Sequence, residues 1–171
     1  MAIASSASVD RTNLISQSFA NLYNLINNRD NVKDPITGSG RKFVHVRMPN
    51  IRSDTFEAYP FIVVKHPEIS YSNKSLSSSR ARLSWTFDIE VFSADRAINN
   101  EGKGAEFCSQ IVDDIMETLN SVSNKETLIS YGMANIIPNL DSMDSVDDEK
   151  ANTYFVARIS VLFNGRLTIS A

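Results

Sequence analysis

The sequence predicts an α+β domain, on three observations. Ala81 to Phe92 alternates Leu83, Trp85, Phe87, Ile89 and Val91 with Ser84, Thr86, Asp88 and Glu90, the two-residue period of a half-buried strand. Ile15, Phe19, Leu22 and Ile26 recur at helical spacing, as do Phe107, Ile111, Ile115 and Leu119. Thr153 to Phe163 alternates again, with Phe155, Ala157, Ile159, Val161 and Phe163 on one face.

Helix one is expected over Asp10 to Asn27, with Asp10 as N-cap and Asn27 to Asn31 as the stop. Residues 28–41 read as a loop holding Pro35, Gly38 and Gly40. A strand from Arg41 to Met48 follows, ended by Pro49. Phe61-Ile62-Val63-Val64, between Pro60 and Pro67, suits a strand buried on both faces. It is expected to resume after Pro67 and to pair, as Ile62–Tyr71, with Arg82–Val91 across the Ser-rich connection 71–79. A loop over Ser93 to Gly104 leads into the second helix, Ala105 to Asn120. Ser121 to Lys125 reads as a turn, and Thr127 to Tyr131 and Ala134 to Ile137 as short strands. Residues 138–150 read as an acidic loop. After the 153–163 strand, Asn164-Gly165 signals a turn and Leu167 to Ile169 a terminal strand.

The length, 171 residues, fits a single domain, and 42% hydrophobic residues suffice for a core. Residues 1–9 read as a polar N-terminal arm without the features of a signal peptide. The apolar runs fall far short of the ~20 residues of a membrane-spanning helix, so no membrane is expected among the partners. The single cysteine, Cys108, excludes an intramolecular disulfide, and a reducing cytosol is the expected location. A net charge of −3 argues against a dedicated nucleic-acid binder.

No motif encodes a reaction, and no catalytic, cofactor-binding or metal-ligating residue is assigned; the chain is expected not to be an enzyme. Asn100 to Ala105 has the strand-to-helix context of a phosphate loop. Yet Ala97 stands where the Walker glycine belongs, and Gly104 where the hydroxyl belongs, so a loop with Lys103 in solvent is expected. His45 and His66 lack further ligands at metal-site spacing. Cys108 lies on the apolar helix stripe, which suits a buried thiol, and Asp114 is expected to face solvent. Lys74, Arg80 and Arg82 form a basic strip. It could contact phosphate, or pair with the acidic 141–149 segment of a neighbouring chain, Asp144, Asp147 and Asp148 among it. The second reading is favoured, and these six residues are the candidate subunit interface.

Tyr59-Pro-Phe-Ile-Val-Val-Lys65, Trp85 to Asp95 and the helix Glu106 to Leu119 carry a resemblance to a known family. With Pro60, Ile62 and Val64 in a P-x-I-x-V strand, and Ile89, Val91 and Ser93 in a V-x-V-x-[ST] strand end, the chain resembles the tail terminator, or tail-completion, proteins of long-tailed bacteriophages. Isoleucine stands for the first valine of the second pattern, and the pattern covers roughly residues 9 to 165. The resemblance implies an antiparallel-rich mixed sheet with two main helices packed on one face. It also implies a homohexameric ring at the head-proximal end of the tail tube, which ends tube polymerisation and docks the head or neck. Its partners would be its own copies, the tube protein and the head-completion protein, with viral DNA passing the lumen without sequence-specific binding. Location in the virion follows. A head–tail connector, a tube subunit or a small binding domain are the alternatives. The family pattern offers no match for the acidic segment.

Overall fold

The structure, a computed structural model, describes residues 14–36, 40–50, 59–72, 80–95, 102–130, 133–147 and 152–168. The alternation centred on Trp85 becomes the middle of a sheet. Strands β1 (Val44–His45), β2 (Phe61–Val64), β3 (Glu68–Ser72), β4 (Arg80–Ala94), β5 (Met133–Asp147) and β6 (Thr153–Thr168) are joined by helices α1 (Leu14–Asn27), α2 (Gly104–Asn120) and α3 (Val122–Ser130). The sheet order is β1-β2-β4-β6-β5, with β3 also paired to β4. Among the described residues only the β1–β2 pair is parallel. The mixed, antiparallel-rich α+β class expected from the sequence is what the chain forms.

Helices cover the face of the sheet on which β4 and β6 are continuously apolar. Trp85, Phe87, Ile89 and Val91 stand opposite Phe163, Val161, Ile159 and Ala157. These eight share one buried cluster with Leu22 and Ile26 of α1, Ile111, Ile115 and Leu119 of α2, and Leu128 of α3. Trp85 stacks on Phe163 at 6.1 Å, and Phe19 reaches Phe87 at 6.1 Å. Among the described residues, no helix is long and apolar enough to cross a membrane.

The expected hairpin is present. Ile62 lies opposite Val91, and Tyr71 opposite Leu83 rather than Arg82. The one-residue slip is absorbed between Val64 and Glu68, around Pro67, which cannot donate to the ladder. Other expectations are corrected. The 41–48 strand shrinks to Val44–His45. The 121–125 turn and the 127–131 strand are replaced by α3. There Lys125 N donates to Ser121 O as the first backbone bond of the helix, and burial of Leu128 against the core outweighs weak helical periodicity. The acidic loop expected over 138–150 is strand as far as Asp147; residues 148–150 lie outside the described residues. Asn164-Gly165 does not turn the chain, because both residues are held in register between β4 and β5. Residues 1–13, the arm and Asp10 included, lie outside the described residues.

Candidate assembly interface

The feature that sequence reading misplaced is the one that could join this chain to another. Among the described residues β5 ends the sheet, and residues 133–147 pair on one side only, with β6. Its backbone forms a strand because β6 supplies a full ladder, not because its own side chains alternate. Pro138 is tolerated there, as proline is on an edge. The register shifts between Leu140 and Ser142, and the extra residue is Asp141. Its Oδ1 accepts from Asn139 Nδ2 at 2.6 Å and from Ser160 Oγ at 3.0 Å, which fixes the bulge.

Among the described side chains of β5, four large apolar ones are exposed: Ile137 (46%), Leu140 (43%), Met143 (44%) and Val146 (58%). Cross-strand register sorts them. Leu140 and Met143 stand opposite buried Ile159 and Ala157, on the helix-covered face. Ile137 and Val146 stand opposite Leu162 and Tyr154, on the other face. The edge is therefore apolar above and below. Ser109 Oγ on α2, which donates to Ala105 O at 3.0 Å, lies 3.9 Å from Met143 Sδ. Around these residues stand Asp141, Asp144 and Asp147, all exposed, and β5 carries no lysine or arginine. Asp147 Oδ1 accepts from Thr153 Oγ1 at 2.8 Å.

The face of the sheet away from α1, α2 and α3 adds a second aromatic group that the sequence did not disclose. Phe61 stacks on Phe92 at 4.9 Å, and Tyr59 lies 5.1 Å from Phe61 and 5.8 Å from Tyr154. Burial, followed by the nearby Tyr154, pushes the Tyr59 hydroxyl pKa upward. The signal was present as aromatic residues on the polar faces of two strands. It was masked by the stronger alternation of their partners. Beside it Glu90 accepts from Lys65 Nζ at 2.6 Å and lies 3.5 Å from Arg158 Nε.

The six candidate interface residues are not brought together within one chain. Lys74 and Asp148 lie outside the described residues, and of Arg80 and Arg82 the structure places only the backbone. Arg82 is opposite Arg166 and Asp147 opposite Thr153, at the two ends of β6. That separation is roughly 40 Å at ~3.3 Å per residue. Asp144 and Asp147 stand on the open edge, whereas Arg82 sits between Ser72 and Arg166 inside the sheet.

The remaining sequence candidates find structural partners. Gly104 N, at the start of α2, donates to Asp95 Oδ1 at 3.0 Å, so a carboxylate of the chain itself occupies that position, and Lys103 is exposed. His45 Nε2 lies 3.1 Å from Lys42 O, and burial lowers its pKa. His66 stacks on Phe19 at 4.4 Å. Cys108 is fully buried, and burial pushes its thiol up to about 11. Asp114 does not simply face solvent: its Oδ2 accepts from Lys33 N at 3.1 Å and ties α2 to the segment after α1. No protein-family model matches the chain, and no curated protein matches it.

Proposed function

We propose that this protein is a structural virion component. Copies join into a ring at the head-proximal end of a bacteriophage tail tube, end tube polymerisation and dock the head or neck. The observation that carries the reading is the open β5 edge, 15 residues long, with apolar side chains exposed on both faces. Exposed apolar residues along an edge strand offer a surface to another chain; Pro138, the bulge at Asp141 and the aspartates interrupt a continuous backbone ladder there, so the contact is made by side chains. The resemblance of the Tyr59–Lys65, Trp85–Asp95 and Glu106–Leu119 stretches supports the tail assignment. Their strands and helix form the stable core on which such an edge can be carried.

The role is assembly rather than catalysis. Asp144 and Asp147 belong to the contact, because they stand on the edge that is open. A head-to-tail contact of this kind gives a ring when its rotation closes and a filament when it does not. Tube protein and head-completion protein would meet the ring on its two sides, and DNA would pass through the lumen.

The test is solution mass by light scattering, with imaging of the same sample. Closed six-membered rings without filaments, alone or on added tail tubes, support the reading. Open filaments favour a tube subunit. A strict monomer that forms no rings on tail tubes refutes it.

A further inference from the structure

We propose that the acidic β5 edge of one copy docks on the basic β1 edge of the next. This deepens the ring reading, on which it rests, by naming both sides of the contact. Among the described residues the sheet ends in β5 on one side and β1 on the other. The charged residues of β5 are Asp141, Asp144 and Asp147, without a cation. The segment around β1, residues 40–50, carries Arg41, Lys42 and Arg47 without an acid. Lys42 and Arg47 are exposed, and Arg41 is bound to Asp34 through Nη2 at 2.7 Å. Each edge also exposes apolar surface: Met48 (58%) beside Arg47, and Ile137, Leu140, Met143 and Val146 along β5.

Charge decides between the two ways of joining copies. A symmetric β5–β5 contact would set three aspartates against three, and like charges facing each other destabilise a strand pair. A β5–β1 contact sets them against cations, and being unlike on its two sides it propagates from copy to copy. The strip at Arg80 and Arg82 offers no equivalent edge, since Arg82 has a strand on both sides. Side chains rather than a full ladder make the contact at β1. Phe43 O faces β2, where it accepts from Ile62 N, so Val44 O points outward, and there it already accepts from the Tyr23 hydroxyl at 3.2 Å.

Two full-length variants test this: Asp144→Lys/Asp147→Lys, and Lys42→Glu/Arg47→Glu. Circular dichroism and urea midpoints first establish that each folds like the unaltered chain. Each alone opposes like charges at every contact, and the concentration for half-assembly should rise roughly tenfold or more. Mixed in equal amounts, they restore opposite charges at every contact and should co-assemble into alternating closed rings with an even number of subunits. Rings formed by both variants alone, like those of the unaltered chain, overturn the edge assignment and leave the ring function standing. So does a mixture that fails to assemble while the unaltered chain does. If Lys42→Glu/Arg47→Glu has no effect and the mixture stops at dimers, the contact is β5–β5. If Arg80→Glu/Arg82→Glu complements the acidic variant instead, the basic side lies on β4. An unaltered chain that forms no ring, alone or on tail tubes, overturns both proposals.

Discussion

Replacing Gly104 with alanine places a methyl group where α2 meets the end of β4. A Cβ there would lie 2.8 Å from Ala94 C, Asp95 N and Phe155 Cδ2. Each must retreat by about 0.6 Å to reach the 3.4 Å of ordinary contact, and two of the three are backbone atoms. The backbone cannot separate freely. Asp95 Oδ1 holds Gly104 N at 3.0 Å, and Asp95 O holds Gly102 N at 3.2 Å. Overpacking of this kind costs ~1–3 kcal/mol. Alanine returns at most ~1 kcal/mol of helix propensity, and less at the first residue of a helix. Weakening the bond to the Asp95 carboxylate adds about 1 kcal/mol. The expected net loss is about 2 kcal/mol, which lowers the urea midpoint by about 1 M if the slope is ~2 kcal/mol/M. Equilibrium urea unfolding followed by Trp85 fluorescence measures it. A midpoint equal to or above that of the unaltered chain would refute the close approach. Gly102→Ala is the control. It has φ +78° and nothing within 4 Å of a new Cβ, so its cost of ~1–2 kcal/mol is conformational alone.

Further outcomes follow from the same geometry. Phe87→Ala, at a fully buried position, should cost ~3–5 kcal/mol in the same assay; a loss under ~1 kcal/mol would show that this face of β4 is not the core. Trp85→Phe should cost much less than Trp85→Ala. Its indole Nε1 is buried with no hydrogen-bond partner among the described residues, so removing it relieves a desolvated donor. Asp34→Ala should cost about 2–3 kcal/mol, because it leaves the mostly buried Arg41 guanidinium without the carboxylate that binds both Nε and Nη2. Because Cys108 is fully buried, a thiol reagent at pH 8 should label it only after unfolding; the same burial pushes its pKa up to about 11. The unfolded thiol ionises first, so stability should fall as pH rises from about 9 toward about 11. Replacing Cys108 with a small apolar residue should remove that part of the pH dependence.

The parts of the fold that were legible share one property: a face that is buried and a face that is not. β4 could be read from Leu83 to Val91, and its hairpin partners placed to within one residue, because a slip would drive Trp85 and Phe87 into water. The α2 stripe from Phe107 to Leu119 was legible for the same reason, and Cys108 could be assigned to the core from its place on that stripe. The candidate interface was half legible. Asp144 and Asp147 were picked out by charge, but as members of a loop, because residues 138–147 alternate poorly and include Pro138. The basic edge at Lys42 and Arg47 was not singled out, since nothing local marks a segment as the end of a sheet.

The sequence by itself determined the α+β class, the core strand, the two long helices and the face on which they meet. Burial against a common centre writes a period into the chain, and that period is local. Tertiary structure alone decided that residues 122–130 form a helix, that the acidic stretch extends, and that Asn164-Gly165 runs straight. Each of these is stabilised by backbone or side-chain partners supplied from elsewhere in the chain. Leu128 has the core, β5 has the ladder of β6, and residues 164 and 165 have β4 on one side and β5 on the other. An edge strand needs one neighbour and no buried face, so its own residues are free to be acidic, and that freedom leaves β5 able to meet a second chain.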